Sequence, residues 1–276
     1  SADPDAEEAL IARYGERIAV IIPYATFGTA IDLERYAALG RRTGIPVVVD
    51  AATSLGSMDA LGRQFGSGSS LPIVFSMHAT KTFATAEGGV VFSADPVLVD
   101  RIRSMANFGF EIPRTTSLPG LNAKLSEVHA VLARARLRGF DAVMQRRQRL
   151  DERYRERLPD WQFQEETGRR SGCSFLSVLL PRREYRDRAE IVAELHHRGI
   201  GTAAYFSPHL GQQPFFAACP RGPLPVADEI AARVLCLPIW DGLEADAVDT
   251  VCDTLREVVA CSTLFRPYPQ FPGVRA

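Results

Sequence analysis

The sequence has 276 residues, of which 46% are hydrophobic and 24% are charged, and its formal net charge is -1. This composition is typical of a globular protein with a sizeable core, and it offers no electrostatic footprint for nucleic acid or an anionic membrane. No apolar run approaches the ~18 residues that a membrane helix needs, and the acidic start predicts no signal peptide. The five cysteines form no C-x-x-C pair, so we expect reduced thiols in a cytoplasmic protein.

The first half of the chain alternates strand and helix signals. An apolar run over 17–23 predicts a buried strand, and Asp32 is expected to cap the amphipathic helix that follows. A β-branched run up to Asp50 predicts a second strand, parallel to the first. A further strand is predicted over 71–76, and the short connection to the one after Gly89 favours an antiparallel return. We therefore predict an α/β fold with a mixed, mostly parallel sheet.

The character of the sequence changes after a long helical stretch. Ser126 is expected to begin that stretch, with Gly139 as a bend. Beyond it, short strands and helices alternate in the manner of a smaller α+β domain. We place the boundary inside the long helix, which predicts a large domain over 1–145 and a small C-terminal domain over 146–276.

Two chemically distinctive residues follow predicted strands. Asp50 ends an apolar strand, where a carboxylate either caps the next helix or faces a ligand at the carboxyl edge of the sheet. Lys81 lies five residues beyond the next strand. It is one of only two lysines, with Lys124, whereas the other basic residues are arginines. A lysine amine forms Schiff bases with carbonyls, and a pyridoxal phosphate site pairs such a lysine with an acid. Position alone also allows a solvated loop lysine.

Other motifs do not point to a site. The chain has no G-x-x-x-x-G-K-[ST] and no G-x-S-x-G motif. His196 and His197 lie on a predicted helix without the ligand spacing of a metal site, so we predict a surface position for them and no metal.

Three blocks of sequence carry a resemblance to a known family. They are VVVDAATSLGS, then FSMHATKTFATAEGGVVFS, then GLNAKLSEVHAVLA. In order and spacing they resemble the DegT/StrS family of pyridoxal-phosphate sugar aminotransferases, and YFSPHL and LPVADEIAARVLCLPIW are similar to its C-terminal signatures. The resemblance covers nearly the whole chain. It implies the aspartate-aminotransferase fold, with a large mixed-sheet domain and a smaller C-terminal one.

The resemblance also implies roles for individual residues. Lys81 would hold pyridoxal phosphate as a Schiff base, Asp50 would pair with its pyridinium nitrogen, and Ser76 would bind its phosphate. Asn122 would reach the phosphate of the neighbouring subunit's cofactor, which implies a homodimer with shared active sites. Thr53 stands where the family often has glutamine near the cofactor's 3-hydroxyl, and threonine is shorter.

The resemblance implies a difference in length as well. Members of the family normally begin with about a hundred further residues, and from its length we expect this chain to lack them. That region would supply a Gly-Thr phosphate turn, the aromatic side chain that stacks on the cofactor, and the first strands of the large domain.

The reaction implied is transfer of an amino group from an amino acid, expected to be glutamate, to a keto-sugar, expected to be nucleotide-linked, in sugar or antibiotic biosynthesis. Lys81 would also move the proton at the donor α-carbon. Arg114 is a candidate to meet a diphosphate, and Tyr205 and His209 are candidates for the substrate side. Lys81 argues against the family's dehydratases, which replace this lysine with histidine. A cyclitol or other ketone as substrate, and an inactive fragment or partner subunit, remain open alternatives.

Overall fold

The computed structural model describes residues 2–112, 114–182 and 188–262, with side chains to residue 260. The chain divides into two compact units. Unit 1 comprises Ser1–Asp151, Glu165–Leu176 and Ile239–Asp241, and unit 2 comprises Glu152–Gln164, Ser177–Pro238 and Gly242–Ala276.

The described part of the chain contains both helices and short strands. The helices are α1 (Pro4–Tyr14), α2 (Leu33–Thr43), α3 (Pro96–Ala106), α4 (Glu127–Arg138), α5 (Phe140–Arg157), α6 (Arg188–His197), α7 (Pro225–Arg233) and α8 (Ala245–Ser262). The strands are β1 (Val49–Asp50), β2 (Ile73–Ser76), β3 (Gly89–Phe92), β4 (Phe110–Glu111), β5 (Thr115–Thr116), β6 (Gln162–Phe163), β7 (Leu176–Leu179) and β8 (Val234–Leu237). Single 3₁₀ turns lie at Gly15–Arg17, Thr26–Gly28, Leu210–Gln212 and Pro214–Phe216.

In unit 1 a sheet in the order β1-β2-β3 carries Asp50 at the end of β1, and Lys81 follows β2 by five residues. β1 pairs parallel with β2, so that Asp50 lies opposite Val74. β2 pairs antiparallel with β3, with Ser76 opposite Gly89. Because β1 and β2 run the same way, Asp50 and the segment after Ser76 leave the sheet at the same edge.

The expected strand over 17–23 is interrupted in the structure. It makes two isolated parallel bridges to the β1 segment, Ile21 with Val47 and Tyr24 with Asp50, and it forms no continuous strand. Pro23 lies between these bridges and has no backbone N–H to donate, so the ladder is broken there. The prediction of a continuous strand over 17–23 was therefore wrong. The prediction that this segment runs parallel to β1 is confirmed by the two bridges.

Local signals place the helices around this sheet. The Asp32 carboxylate accepts a hydrogen bond from the Arg35 N–H at 2.9 Å and caps α2. Ser126 caps α4 in the same way through the His129 N–H at 3.3 Å. Gly139 separates α4 from α5, as expected.

The core of unit 1 is apolar and centred on β1 and β2. Val49 and Ile73 are completely buried, and neighbouring side chains of the first 75 residues complete the cluster. Burying such side chains is the main favourable contribution to folding. Unit 2 has its own sheet, in the order β6-β7-β8, and the middle of α8 is buried at Val248, Cys252 and Leu255. Among the described helices, none is both long and apolar enough to cross a membrane.

Candidate active site

Lys81 lies in a bend five residues beyond the end of β2 and is half-buried. Its Nζ atom is 5.2 Å from the centroid of the Phe175 ring. Burial lowers the pKa of the Lys81 amine from its usual value, and the charge of Asp50 acts in the opposite direction. The amine is therefore partly desolvated and within electrostatic reach of a carboxylate.

Asp50 is the last residue of β1, and no helix follows it. Residues 51–57 form turns, and the Asp50 Oδ1 atom accepts a hydrogen bond from the Ala52 N–H at 3.0 Å. The alternative that Asp50 caps a following helix is therefore wrong. Its carboxylate acts electrostatically on the Lys81 amine, and we call these two residues, one at the end of β1 and one beyond the end of β2, the strand-end group.

Tyr24 is a further member of this group that sequence reasoning missed. Its backbone forms a parallel bridge with Asp50. Burial raises the pKa of the Tyr24 phenol, as does the Asp50 charge, and a side-chain hydrogen bond with Thr53 acts against both. The available signal was its place after Pro23, at the end of the first apolar run.

Thr53 is almost fully buried, at 2% exposure. Its hydroxyl donates to the Ala25 carbonyl oxygen at 3.2 Å, and its own carbonyl accepts a hydrogen bond from Ser174 Oγ at 3.2 Å. The side chain is thus already bonded within the protein, which gives it a structural role whether or not a ligand is bound.

Ser76 ends β2 and is half-buried beside Gly89. Its Oγ atom accepts a hydrogen bond from the His78 N–H at 3.2 Å. The hydroxyl proton is not used in that contact, so it is available to donate to an anion.

Segment 165–176 is a second part of the site that sequence reasoning did not identify. It supplies Phe175 to the Lys81 amine and Ser174 to the Thr53 backbone. Gly172 approaches so closely that a Cβ atom there would lie 2.3 Å from the Thr53 carbonyl oxygen. This segment contains no sequence motif that would have predicted its contacts with Lys81 and Thr53.

Asn122 is exposed, and its Oδ1 atom accepts a hydrogen bond from Lys124 Nζ at 2.6 Å. Lys124 also lines a cavity of about 790 Å³ together with Arg114 and six neighbouring residues. Arg114 is 5.2 Å from the Phe110 ring centroid. Neither Lys81 nor Asp50 lines this cavity, so unit 1 presents two separate groups of polar side chains.

The remaining candidates, Tyr205 and His209, belong to unit 2. Tyr205 is 39% exposed. His209 contacts Asp228 Oδ1 through Nε2 at 2.8 Å, and its Nδ1 accepts a hydrogen bond from the Gly211 N–H at 3.1 Å. His209 therefore stabilises the turn that follows it.

The side chains at the end of β1 and β2 suit pyridoxal phosphate by their chemistry. A partly desolvated amine at Lys81 suits Schiff-base formation with an aldehyde, because desolvation favours the neutral amine. The Asp50 carboxylate suits a protonated ring nitrogen, and the Ser76 hydroxyl suits a phosphate oxygen. The residues present therefore fit this cofactor.

Comparison with known proteins gives consistent matches. The model of the DegT/DnrJ/EryC1/StrS aminotransferase family matches residues 1–256. Protein Rv3402c of Mycobacterium tuberculosis is 31% identical over 90% of this chain and 61% of its own length. The erythromycin biosynthesis sensory transduction protein EryC1 of Saccharopolyspora erythraea is 32% identical over 87% of this chain and 66% of its own length.

A solved structure shows the same fold. The crystal structure of DesI in the presence of its TDP-sugar product matches with a TM-score of 0.84 at 30% identity, over 96% of this chain and 69% of that one. The structural neighbours are aminotransferases of the α/β pyridoxal-phosphate type. The present chain spans 61% of the length of its mycobacterial relative.

Proposed function

The chain belongs to the DegT/DnrJ/EryC1/StrS aminotransferase family, and on that premise we propose that it transfers an amino group from an amino acid to a keto-sugar carried on a nucleotide. The observation that supports this most directly is that the Asp50 carboxylate acts electrostatically on the half-buried Lys81 amine, and that both residues follow parallel strands at the same edge of a sheet. A lysine and an acid are the two groups that a pyridoxal enzyme needs at its cofactor.

In this proposal Lys81 has two tasks. Its amine would hold pyridoxal phosphate covalently, and as a free amine it would take the proton from the α-carbon of the amino-acid donor. Burial lowers the pKa of Lys81, so more of the amine is unprotonated near neutral pH and able to accept that proton. The cofactor, when bound, supplies an electron-accepting ring.

Asp50 and Ser76 hold the two ends of the cofactor in this proposal. The Asp50 carboxylate keeps the proton on the ring nitrogen, and the Ser76 hydroxyl donates to the phosphate. Thr53 supports the site because its hydroxyl donates to the Ala25 carbonyl oxygen. Asn122 is exposed, which suits its expected contact with the cofactor of a partner subunit in a homodimer.

The substrate proposal rests on the relatives and on one cavity. DesI was solved with a TDP-sugar product, and EryC1 is named for erythromycin biosynthesis. We extend this to a nucleotide-linked keto-sugar, in sugar or antibiotic biosynthesis, with glutamate as the donor. The cationic Arg114 and Lys124 line the same cavity, which suits a diphosphate. We assign Tyr205 and His209 to the part of the site that binds the sugar. His209 would contribute by stabilising the turn that follows it.

A cytoplasmic location is part of the proposal. Among the described cysteines, Cys173, Cys219, Cys236 and Cys252 are free thiols. Free thiols are the usual state of cysteine in reducing compartments.

Covalent labelling tests the central claim. The purified 276-residue chain is incubated with pyridoxal phosphate and reduced with borohydride, which fixes any Schiff-base linkage, and the modified peptide is identified by mass spectrometry. We expect the label on Lys81. Label on Lys124 alone, or no label, would contradict the proposal and favour an inactive fragment or partner subunit. The matched control is Lys124→Arg, which should leave labelling of Lys81 unchanged.

The substrate class needs a separate test. Amino transfer from glutamate is measured by mass spectrometry with nucleotide-linked keto-sugars, free keto-sugars and cyclitol ketones as acceptors. We expect product only with the nucleotide-linked compounds. Product with cyclitol ketones alone would replace the proposed substrate while leaving the cofactor assignment intact.

A further inference from the structure

The residue that follows Lys81 is fixed in the interior. Thr82 is 1% exposed, and its hydroxyl donates to the Gly172 carbonyl oxygen at 2.6 Å. Ser174 Oγ lies 3.1 Å from the same hydroxyl. Because Lys81 and Thr82 share a peptide bond, these contacts restrain the backbone from which the Lys81 side chain extends.

A charged side chain from α4 reaches the same backbone. Arg136 Nη2 donates to the Thr82 carbonyl oxygen at 3.4 Å and to Asp241 Oδ2 at 2.7 Å. A planar guanidinium can donate hydrogen bonds to two acceptors at once in a fixed geometry. A lysine ammonium rotates freely and fixes two acceptors less well. Arg136 thus connects the Lys81 segment to a carboxylate.

That carboxylate is itself held by a second arginine. Arg147 Nε donates to Asp241 Oδ1 at 2.9 Å, and its Nη1 donates to the Cys173 carbonyl oxygen at 2.9 Å. The Arg147 side chain is only 7% exposed. Burial raises the pKa of Asp241, but the hydrogen bonds from Arg136 and Arg147 outweigh it, so the pKa lies below its usual value. Asp241 is therefore ionised at neutral pH and orients both arginines.

From this arrangement we propose that Arg136, oriented by Asp241 and Arg147, is a positioning residue for Lys81. It acts through the Thr82 carbonyl and does not touch the reacting atoms. The inference rests on the proposed function, because it assumes that the Lys81 amine must meet an aldehyde in one orientation. A displacement of about 1 Å in such a group costs on the order of 100-fold in rate.

The experiment follows the reaction of Lys81 in the cofactor-free protein. Pyridoxal phosphate is added, samples are quenched with borohydride over time, and labelling rates of the Lys81 and Lys124 peptides are compared by mass spectrometry. We expect Arg136→Ala to slow labelling of Lys81 by about 10-fold and to leave Lys124 unchanged. Arg136→Lys should recover only part of the rate. The control is Arg134→Ala, which removes the same charge from an exposed position of α4.

The outcomes separate the two proposals. If the unmodified chain is not labelled at Lys81, the proposed function fails. If it is labelled there and Arg136→Ala matches it while remaining folded, the positioning role is overturned. Should Arg136→Ala unfold the chain, Arg136→Lys and Asp241→Asn decide the matter: slower labelling of Lys81 in both supports the role, and an unchanged rate in either rejects it.

Discussion

Lys81 Nζ lies 5.2 Å from the ring centroid of Phe175, a residue 94 positions later in the chain. A cation over a ring face is stabilised by roughly 0.5–2 kcal/mol, depending on its desolvation. The same contact covers the amine with apolar surface. Phe175 therefore influences the protonation of the residue on which the proposed chemistry depends.

Replacing Phe175 should make the Lys81 amine less basic. Phe175→Leu retains most of the apolar cover and removes the ring face that stabilises the charged amine, so we expect the pKa of Lys81 to fall. The measurement is pH-dependent acylation of the cofactor-free protein, read by peptide mass spectrometry. Phe163→Leu is the control, because that ring contacts Arg155 in unit 2. A rise in the Lys81 pKa would contradict the prediction.

Removing the Asp50 charge should also lower the pKa of Lys81. The Asp50 carboxylate raises the pKa of Lys81 against the effect of burial, so Asp50→Asn should move the Lys81 labelling midpoint to lower pH. In the cofactor-loaded protein we expect amino transfer to fall on the order of 100-fold, because the ring nitrogen loses its charged partner.

The control for Asp50→Asn is Asp100→Asn, which removes a carboxylate paired with Arg103 on the exposed face of α3. It should leave both the Lys81 midpoint and the transfer rate unchanged. An Asp50→Asn protein with an unshifted midpoint would show that the two groups are not coupled.

The buried Thr53 hydroxyl should contribute to stability. Thr53→Val keeps the shape of the side chain and removes its hydrogen bond to the Ala25 carbonyl oxygen, so we expect the free energy of unfolding in urea to fall by about 1 kcal/mol. Thr53→Ser retains the hydroxyl and serves as the comparison. Unchanged stability combined with weaker cofactor binding would instead assign the hydroxyl to the ligand.

Gly28 should tolerate no side chain. Its φ angle is +98°, and a Cβ atom there would lie 2.8 Å from the backbone nitrogen of Gly172. Gly28→Ala combines left-handed strain with a backbone clash, so we expect a loss of about 2–5 kcal/mol in the free energy of unfolding.

Gly44→Ala is the matched control for that substitution. Gly44 has a φ angle of +70° and open space around its Cβ position, so it should lose only about 1–2 kcal/mol. Equal losses for the two variants in urea unfolding would mean that the approach of Gly172 to Gly28 does not matter.

Much of the local structure follows from the sequence alone. Asp32 and Ser126 cap helices where expected, Gly139 separates α4 from α5, and the connection between β2 and β3 turns the chain back. These features depend on hydrogen bonds and φ angles within a few residues, so short sequence patterns determine them. The same patterns singled out Asp50 at the end of one strand and Lys81, one of two lysines, five residues beyond the next strand.

Only the tertiary structure decided what surrounds those residues. Phe175 and Arg136 reach the Lys81 segment from elements more than 50 positions away, and the Thr53 hydroxyl bonds a carbonyl 28 residues earlier. Tyr24 joins the group because a broken strand still runs beside β1. Such contacts arise from how distant segments pack against each other. Periodicity and spacing describe only neighbours along the chain, so they do not encode which segments meet.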